Sequence, residues 1–192
     1  MRVVVLDFDG VICTSGTYKR ARVELVPQAW GSPTKTWTHP GEDLLCADLA
    51  ANVQELCVKA GAQIVLSTSW RNMYPLETLK GWLAAKRLTA EIVGVTPDLF
   101  GKRRGMEIDA WMAANGRTAP DIVILEDEED VAPYRGRQIQ TCFNGSRPGF
   151  TRRHLARALR LWGLTVSEPP AASEPIGDPR IADTFGPEVP HG

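Results

Sequence analysis

The stretch VVVLDFDGVI, Val3 to Ile12, carries four apolar residues into two aspartates separated by one position, Asp7 and Asp9, with Gly10 directly behind them. Val3 to Leu6 is rich in β-branched residues and shows no polar alternation, which predicts a strand buried on both faces. A carboxylate is costly in such surroundings unless a cation or hydrogen-bond donors compensate its charge. Open α/β sheets bind ligands at the carboxyl ends of their strands, and Asp7 and Asp9 stand at that end of this one. The pair therefore points to a site for a hard cation, on which later parts of the chain should converge.

Outward from that strand, apolar runs alternate with helical periodicity. Leu44 to Ala60 repeats Leu45, Leu49, Val53, Leu56 and Ala60 at helical spacing, and Gly61 stands where a C-terminal cap belongs. Gln63 to Leu66 is a second buried strand, running into Ser67-Thr68-Ser69-Trp70-Arg71. Pro75 to Lys86 reads as a helix with proline in its first turn. Glu91 to Val95 is a short strand, and Gly105 to Asn115 a helix with Ile108, Trp111 and Met112 inward. Asp121 to Leu125 is a fourth strand, followed by the acidic turn Glu126-Asp127-Glu128-Glu129-Asp130, and Gln138 to Cys142 is a fifth. Thr151 caps a last helix reaching Trp162. Such alternation predicts an α/β protein with a mostly parallel sheet. Right-handed crossovers then bring Asp7 and Asp9, Ser67, and Glu126 with Asp127 to one edge.

Two segments fall outside the pattern. Cys13 to Gly41 is irregular, rich in Thr, Ser, Gly and Pro, and holds Trp30 and Trp37, which either stack on a substrate or cover the core edge. From Ser167 to Gly192 periodicity vanishes and Pro, Glu, Ala and Gly dominate, so residues 1–166 read as the folded domain and 167–192 as a disordered tail.

Composition narrows the function classes. A chain of 192 residues supports one domain with a real core, and its 43% hydrophobic and 23% charged residues are ordinary for a globular protein. A net charge of -1 gives no whole-protein field toward nucleic acid or membrane. The four cysteines are scattered without a CxxC, which argues against zinc and against a disulfide framework. Reduced thiols in the cytoplasm are the expectation. So are the absence of a signal peptide and of any apolar run long enough to span a membrane.

The first and fourth strands together supply three or more carboxylates, a donor set that suits Mg²⁺, which keeps several waters and pairs with phosphate. Ser67, with backbone N–H groups of the following turn, can hold a phosphate oxygen, although a serine after a strand also serves as a helix cap. Arg71 can add a bidentate phosphate contact, or sit on the surface. Lys102, Arg103 and Arg104 precede a helix, where cations oppose the macrodipole. Neutralising a phosphate and a nearby aspartate would explain them, and which of the three points inward is open. In the last third, Arg135, Arg137, Arg147, Arg152, Arg153, Arg157 and Arg160 either track a nucleic-acid backbone or form a solvated face.

In this order, DFDGVI at Asp7 to Ile12, VLS at Val65 to Ser67, the basic residue near Lys102 and ILEDEED at Ile124 to Asp130 resemble the four motifs of haloacid dehalogenase-like phosphohydrolases, over Met1 to about Gly163. The resemblance implies a Rossmann-like three-layer sandwich with a five-stranded sheet of order 5-4-1-2-3. It makes Asp7 the nucleophile that forms an aspartyl-phosphate and Asp9 the general acid and then base. Mg²⁺ would sit among the Asp7 side chain, the Asp9 backbone carbonyl and Asp127, with Glu126 acting directly or through water and Asp130 orienting the shell. Ser67 would hold the transferring phosphoryl group and Lys102 stabilise it, with Gly10, Thr68, Arg71 and Arg104 as further substrate contacts.

A finer resemblance lies in STSWR at Ser67 to Arg71, RGMEIDAW at Arg104 to Trp111 and FTRRHLARAL at Phe150 to Leu159. These are similar to the small phosphatase-like domains of RNA-repair proteins and, more loosely, to the phosphatase half of phage polynucleotide kinase-phosphatase. Such domains lack a large cap, which suits a phosphate on a nucleic-acid end. The expected activity is thus a Mg²⁺-dependent phosphomonoesterase. A nucleotidase-like small-molecule phosphatase and a non-catalytic metal-dependent binding module are the alternatives.

Overall fold

Strand β1 spans Arg2–Leu6, and its Val3 to Leu6 have no solvent exposure. The computed structural model describes residues 1–21 and 41–165. On one side β1 pairs in parallel with β2, Ala62–Leu66. On the other it pairs in parallel with β4, Ile122–Glu126. Beyond β2 lies β3, Ile92–Val95, and beyond β4 lies β5, Gln138–Gln140, both again parallel. The sheet order β3-β2-β1-β4-β5 is the expected order met from the other edge.

The period-2 alternation of a strand divides the core. Val4 and Leu6 join one cluster with α2 (Ala47–Ala60), α3 (Leu76–Ala85) and α5 (Arg152–Leu161). Val3 and Val5 join a smaller one with Ile108, Trp111 and Met112 of α4, Arg104–Ala114. This is the α/β three-layer arrangement, with helices on both faces. Helix α2 ends at Gly61 in the left-handed region (φ 58°), as its position after the last apolar repeat implies. Thr151 caps α5 in a reciprocal box with His154.

Three local expectations are corrected. The segment after Ile12 is not wholly irregular, because Ser15–Arg20 forms a short helix, α1. It is built on a capping box between Thr14 and Thr17 and not on an apolar stripe, so it leaves no periodic trace. The helix expected from Leu44 starts at Ala47, and Gly41–Leu44 is a separate 3₁₀ turn. Pro75 is the cap of α3 and not part of its first turn. Trp30, Trp37 and the segment from Ser167 onward lie outside the described residues. No described helix is long and apolar enough to cross a membrane.

Candidate active site

The β1–β4 ladder runs one residue past β1, with the Asp7 N–H donating to the Leu125 carbonyl at 3.1 Å. The chain then turns tightly around the Phe8 carbonyl, which accepts from Val11, Ile12 and Cys13. Gly10 makes that turn possible. Its φ is +71°, and a Cβ there would lie 2.2 Å from Asp127 Cγ, so only glycine lets the Asp127 carboxylate reach this position. Asp7, Glu126 and Asp127 each bring one carboxylate oxygen to within 4.8 Å of the others. Asp7 and Glu126 are 5% and 3% exposed. Burial raises the proton affinity of both, and the Arg104 charge pulls it back. Burial raises Asp127 as well. Carboxylates crowded in this way demand positive charge.

Arg104 supplies part of it. Its Nε lies 3.3 Å from Glu126 Oε2, and its NH1 lies 3.0 Å from Glu107 Oε2. Burial works against the guanidinium charge, but Asp7, Glu126 and Glu107 outweigh it and hold the group more firmly protonated. Asp130 sets the start of α4: its Oδ2 accepts the Arg104 N–H at 3.0 Å, and its carbonyl accepts the Gly105 N–H at 3.1 Å. An acidic side chain from the β4 loop thus caps a helix whose own N-cap, Arg103, offers no acceptor.

Three candidate cations make no ion pair with the clustered carboxylates among the described residues. Lys102 and Arg103 are exposed, and neither makes an ion pair with the described residues. The Arg71 side chain is 5% exposed, and both its terminal nitrogens are engaged: NH2 pairs with Glu107 at 2.7 Å and NH1 donates to the Thr68 carbonyl at 2.6 Å. It braces Glu107, and through it Arg104, in place of presenting a fork to substrate. The hydroxyl of Thr68 is likewise a cap, accepting the Trp70 N–H at 3.4 Å.

Ser67 sits at the end of β2, its N–H on the Leu6 carbonyl at 2.8 Å. Its Oγ accepts from Thr96 Oγ1 at 3.2 Å, and both residues are 1% exposed. The Asp9 side chain is not one of the three clustered carboxylates, although its charge bears on Asp7 and Asp127, and its Oδ2 accepts the Trp70 indole N–H at 2.8 Å. Burial, and then the nearby Asp9 charge, push the Cys13 thiol and the Tyr18 phenol up. Sequence reasoning passed over Thr96 and Glu107. Thr96 follows a strand, the rule that singled out Ser67. Glu107 lies three residues after Arg104 on a helix, a spacing that pairs side chains.

Of the arginines of the last third, Arg135 reaches the acidic turn, pairing with Glu129 at 4.0 Å, while Arg137 and Arg152 are engaged elsewhere. Arg137 lies at the opposite end of the sheet, bonded to the carbonyls of Ile122, Leu161 and Pro120. Arg152 pairs with Glu55 on α2.

Residues 3–155 match the family described as the HAD domain in Swiss Army Knife RNA repair proteins. No curated protein matches the chain. Among solved structures, a haloacid dehalogenase-like family hydrolase from Streptococcus pneumoniae is similar at 12% identity and a TM-score of 0.44, covering 82% of this chain and 90% of that one. The family match takes in both acidic turns, Ser67 and Arg104, and the chain belongs to the haloacid dehalogenase (HAD) hydrolase domains of Swiss Army Knife RNA repair proteins.

Proposed function

We propose that the domain is a Mg²⁺-dependent phosphomonoesterase working through an aspartyl-phosphate on Asp7, with a phosphorylated nucleic-acid end as its substrate. The observation that carries this reading is the convergence of Asp7, Glu126 and Asp127 beside the half-buried Arg104. The donor set fits a hard divalent cation: every side-chain donor is a carboxylate oxygen, and the missing Cβ of Gly10 makes room for one of them. Asp7 and Asp127 would hold the ion with the Asp9 carbonyl, and Glu126 directly or through water. Asp130 Oδ1, buried and without a partner among the described residues, is available to a water of the site. When bound, Mg²⁺ supplies the positive charge that lets a carboxylate approach a phosphate dianion.

The side chains then have separate tasks. An Asp7 oxygen attacks phosphorus while the ester P–O bond breaks, its electron pair going to the leaving oxygen. Asp9 gives that oxygen a proton, then takes one from the water that splits the aspartyl-phosphate, restoring Asp7 and releasing inorganic phosphate. Ser67, whose Oγ accepts from Thr96, donates its hydroxyl to a phosphoryl oxygen, and Arg104 offsets the phosphoryl charge. The RNA-repair membership favours a nucleic-acid end over a mononucleotide. Free thiols at Cys13, Cys46, Cys57 and Cys142 suit a cytoplasmic setting. The working unit would be residues 1–166, with 167–192 as an appended tail.

The test is phosphate release from 3′- and 5′-phosphorylated oligonucleotides, mononucleotides, sugar phosphates and p-nitrophenyl phosphate, with Mg²⁺ or with chelator. Release is expected only with Mg²⁺, fastest on an oligonucleotide end, and reduced at least about a thousandfold by Asp7→Asn. Unchanged turnover in Asp7→Asn removes the covalent route, and preference for mononucleotides removes the nucleic-acid end.

A further inference from the structure

Asp9 is held by a residue far away in the chain. Its Oδ2 accepts the indole N–H of Trp70 at 2.8 Å. The indole has little freedom: Trp70 is 1% exposed, meets Phe8 edge-on at 5.3 Å between ring centroids, and meets Trp82 of α3 edge-on at 6.3 Å. Its backbone is pinned too. The N–H is on Thr68 Oγ1, and the carbonyl accepts from Met73 and Tyr74 at 3.0 Å each. Phe8 separates Asp7 from Asp9 in the chain, so the ring that seats the indole belongs to the same turn as both carboxylates.

An indole nitrogen donates and cannot accept. With Oδ2 engaged as acceptor, a transferable proton on Asp9 belongs on Oδ1, and the Cys13 thiol and Tyr18 phenol beside the carboxylate add to the contacts that orient it. We propose that Trp70 is a positioning residue for proton transfer: its N–H orients Asp9 so that Oδ1 faces the leaving oxygen. This rests on the phosphatase reading above. In the first step the ester P–O bond breaks, its electron pair stays on the leaving oxygen, and the Asp9 Oδ1 proton moves to that oxygen. The carboxylate left on Asp9 keeps the Trp70 hydrogen bond, which is stronger to an ion than to a neutral acid.

The consequence depends on the leaving group. An alkoxide needs that proton as it departs, whereas p-nitrophenolate departs without it. Trp70→Phe keeps an aromatic ring and removes the donor. The experiment compares kcat/KM of the unmodified protein and Trp70→Phe on benzyl phosphate and on p-nitrophenyl phosphate, both with Mg²⁺. The loss on benzyl phosphate is expected to exceed the loss on p-nitrophenyl phosphate about tenfold, a fraction of what general acid catalysis contributes. Equal losses on both esters would make Trp70 a packing residue, and no loss on either would make the hydrogen bond irrelevant; each overturns the inference. If Trp70→Phe does not fold, a benzothienyl side chain introduced at this one position keeps the indole shape, replaces N–H by sulfur, and is read by the same ratio. Failure of the unmodified protein to release phosphate from either ester would overturn the phosphatase reading, and this inference with it.

Discussion

At the two ends of its sheet the molecule handles charge in opposite ways. Before β5, at the amino end, Arg137 donates to the carbonyls of Ile122, Leu161 and Pro120 at 2.8, 2.9 and 3.1 Å. Arg2 donates to the Ala60 carbonyl at 3.0 Å and lies over the Trp162 ring. A cavity of about 600 Å³ opens between these residues, larger than the 260 Å³ groove beside Arg71 and Thr96. Size alone would choose the wrong end. In the larger cavity each guanidinium nitrogen of Arg137 already donates to a backbone oxygen, and Arg2 spends a donor on Ala60 and its face on Trp162. At the carboxyl end the carboxylates of Asp7, Glu126 and Asp127 face one another with the Arg104 guanidinium beside them. Uncompensated charge, and not volume, marks the end at which chemistry is expected.

The comparison breaks most readily at its arginines. Arg104→Ala should lower phosphate release by about a hundredfold or more, the scale of losing one charge-stabilising group from an active site. Lys102→Ala should stay within about threefold, since Lys102 is exposed and makes no ion pair with the described residues. Arg137→Met should leave turnover intact and lower stability by roughly 1–3 kcal/mol, because it strands backbone carbonyls that the guanidinium satisfies. Steady-state rates on p-nitrophenyl phosphate and urea midpoints read these effects separately. A large turnover loss in Arg137→Met would show that the amino end is functional after all.

A smaller effect is expected at Gly10. An alanine there takes on the left-handed backbone penalty of about 1–2 kcal/mol and sets its methyl against Asp127. Displacing that carboxylate should weaken Mg²⁺ binding about tenfold or more, measured by calorimetric titration. Unchanged affinity in a folded Gly10→Ala would mean that Asp127 is not a ligand.

Legibility followed the range of the interactions. The unbroken run Val3 to Leu6 announced a central strand, and the Asp7–Asp9 spacing and the Glu126–Asp127 turn announced the carboxyl edge. Those are local facts, and parallel α/β topology carries them to one place. The site cation was less legible. Lys102, Arg103 and Arg104 are equivalent in a string of letters, and the choice falls on Arg104 because Asp130, from another strand's loop, sets where α4 begins. Arg71 looked available to a phosphate because its partner Glu107 lies 36 residues on. Trp70 gave no sign of facing Asp9, 61 residues away. Helix α1 escaped because two threonine side chains, and no apolar stripe, hold it.

The pH dependence of stability sharpens the contrast by the least amount. Burial raises the native proton affinity of Asp7, Glu126 and Asp127 above their values in the unfolded chain, where carboxyl groups titrate near pH 4. Between that range and the raised native values the folded state therefore holds more protons than the unfolded one. Stability must then fall as pH rises through the window, by up to about 1.4 kcal/mol per pH unit for each extra proton held. Mg²⁺ binds the deprotonated carboxylates, so its stabilisation grows over the same window and should flatten the slope. The amino end offers no such response. Arg137 stays charged throughout, although burial draws its proton affinity down, so Arg137→Met should lower the stability curve without changing its slope. Urea denaturation of metal-free protein between about pH 5 and 8, repeated with Mg²⁺, measures both. A flat metal-free curve would mean that Arg104 alone already balances the cluster, and the case for a cation at the carboxyl end would lose its electrostatic ground.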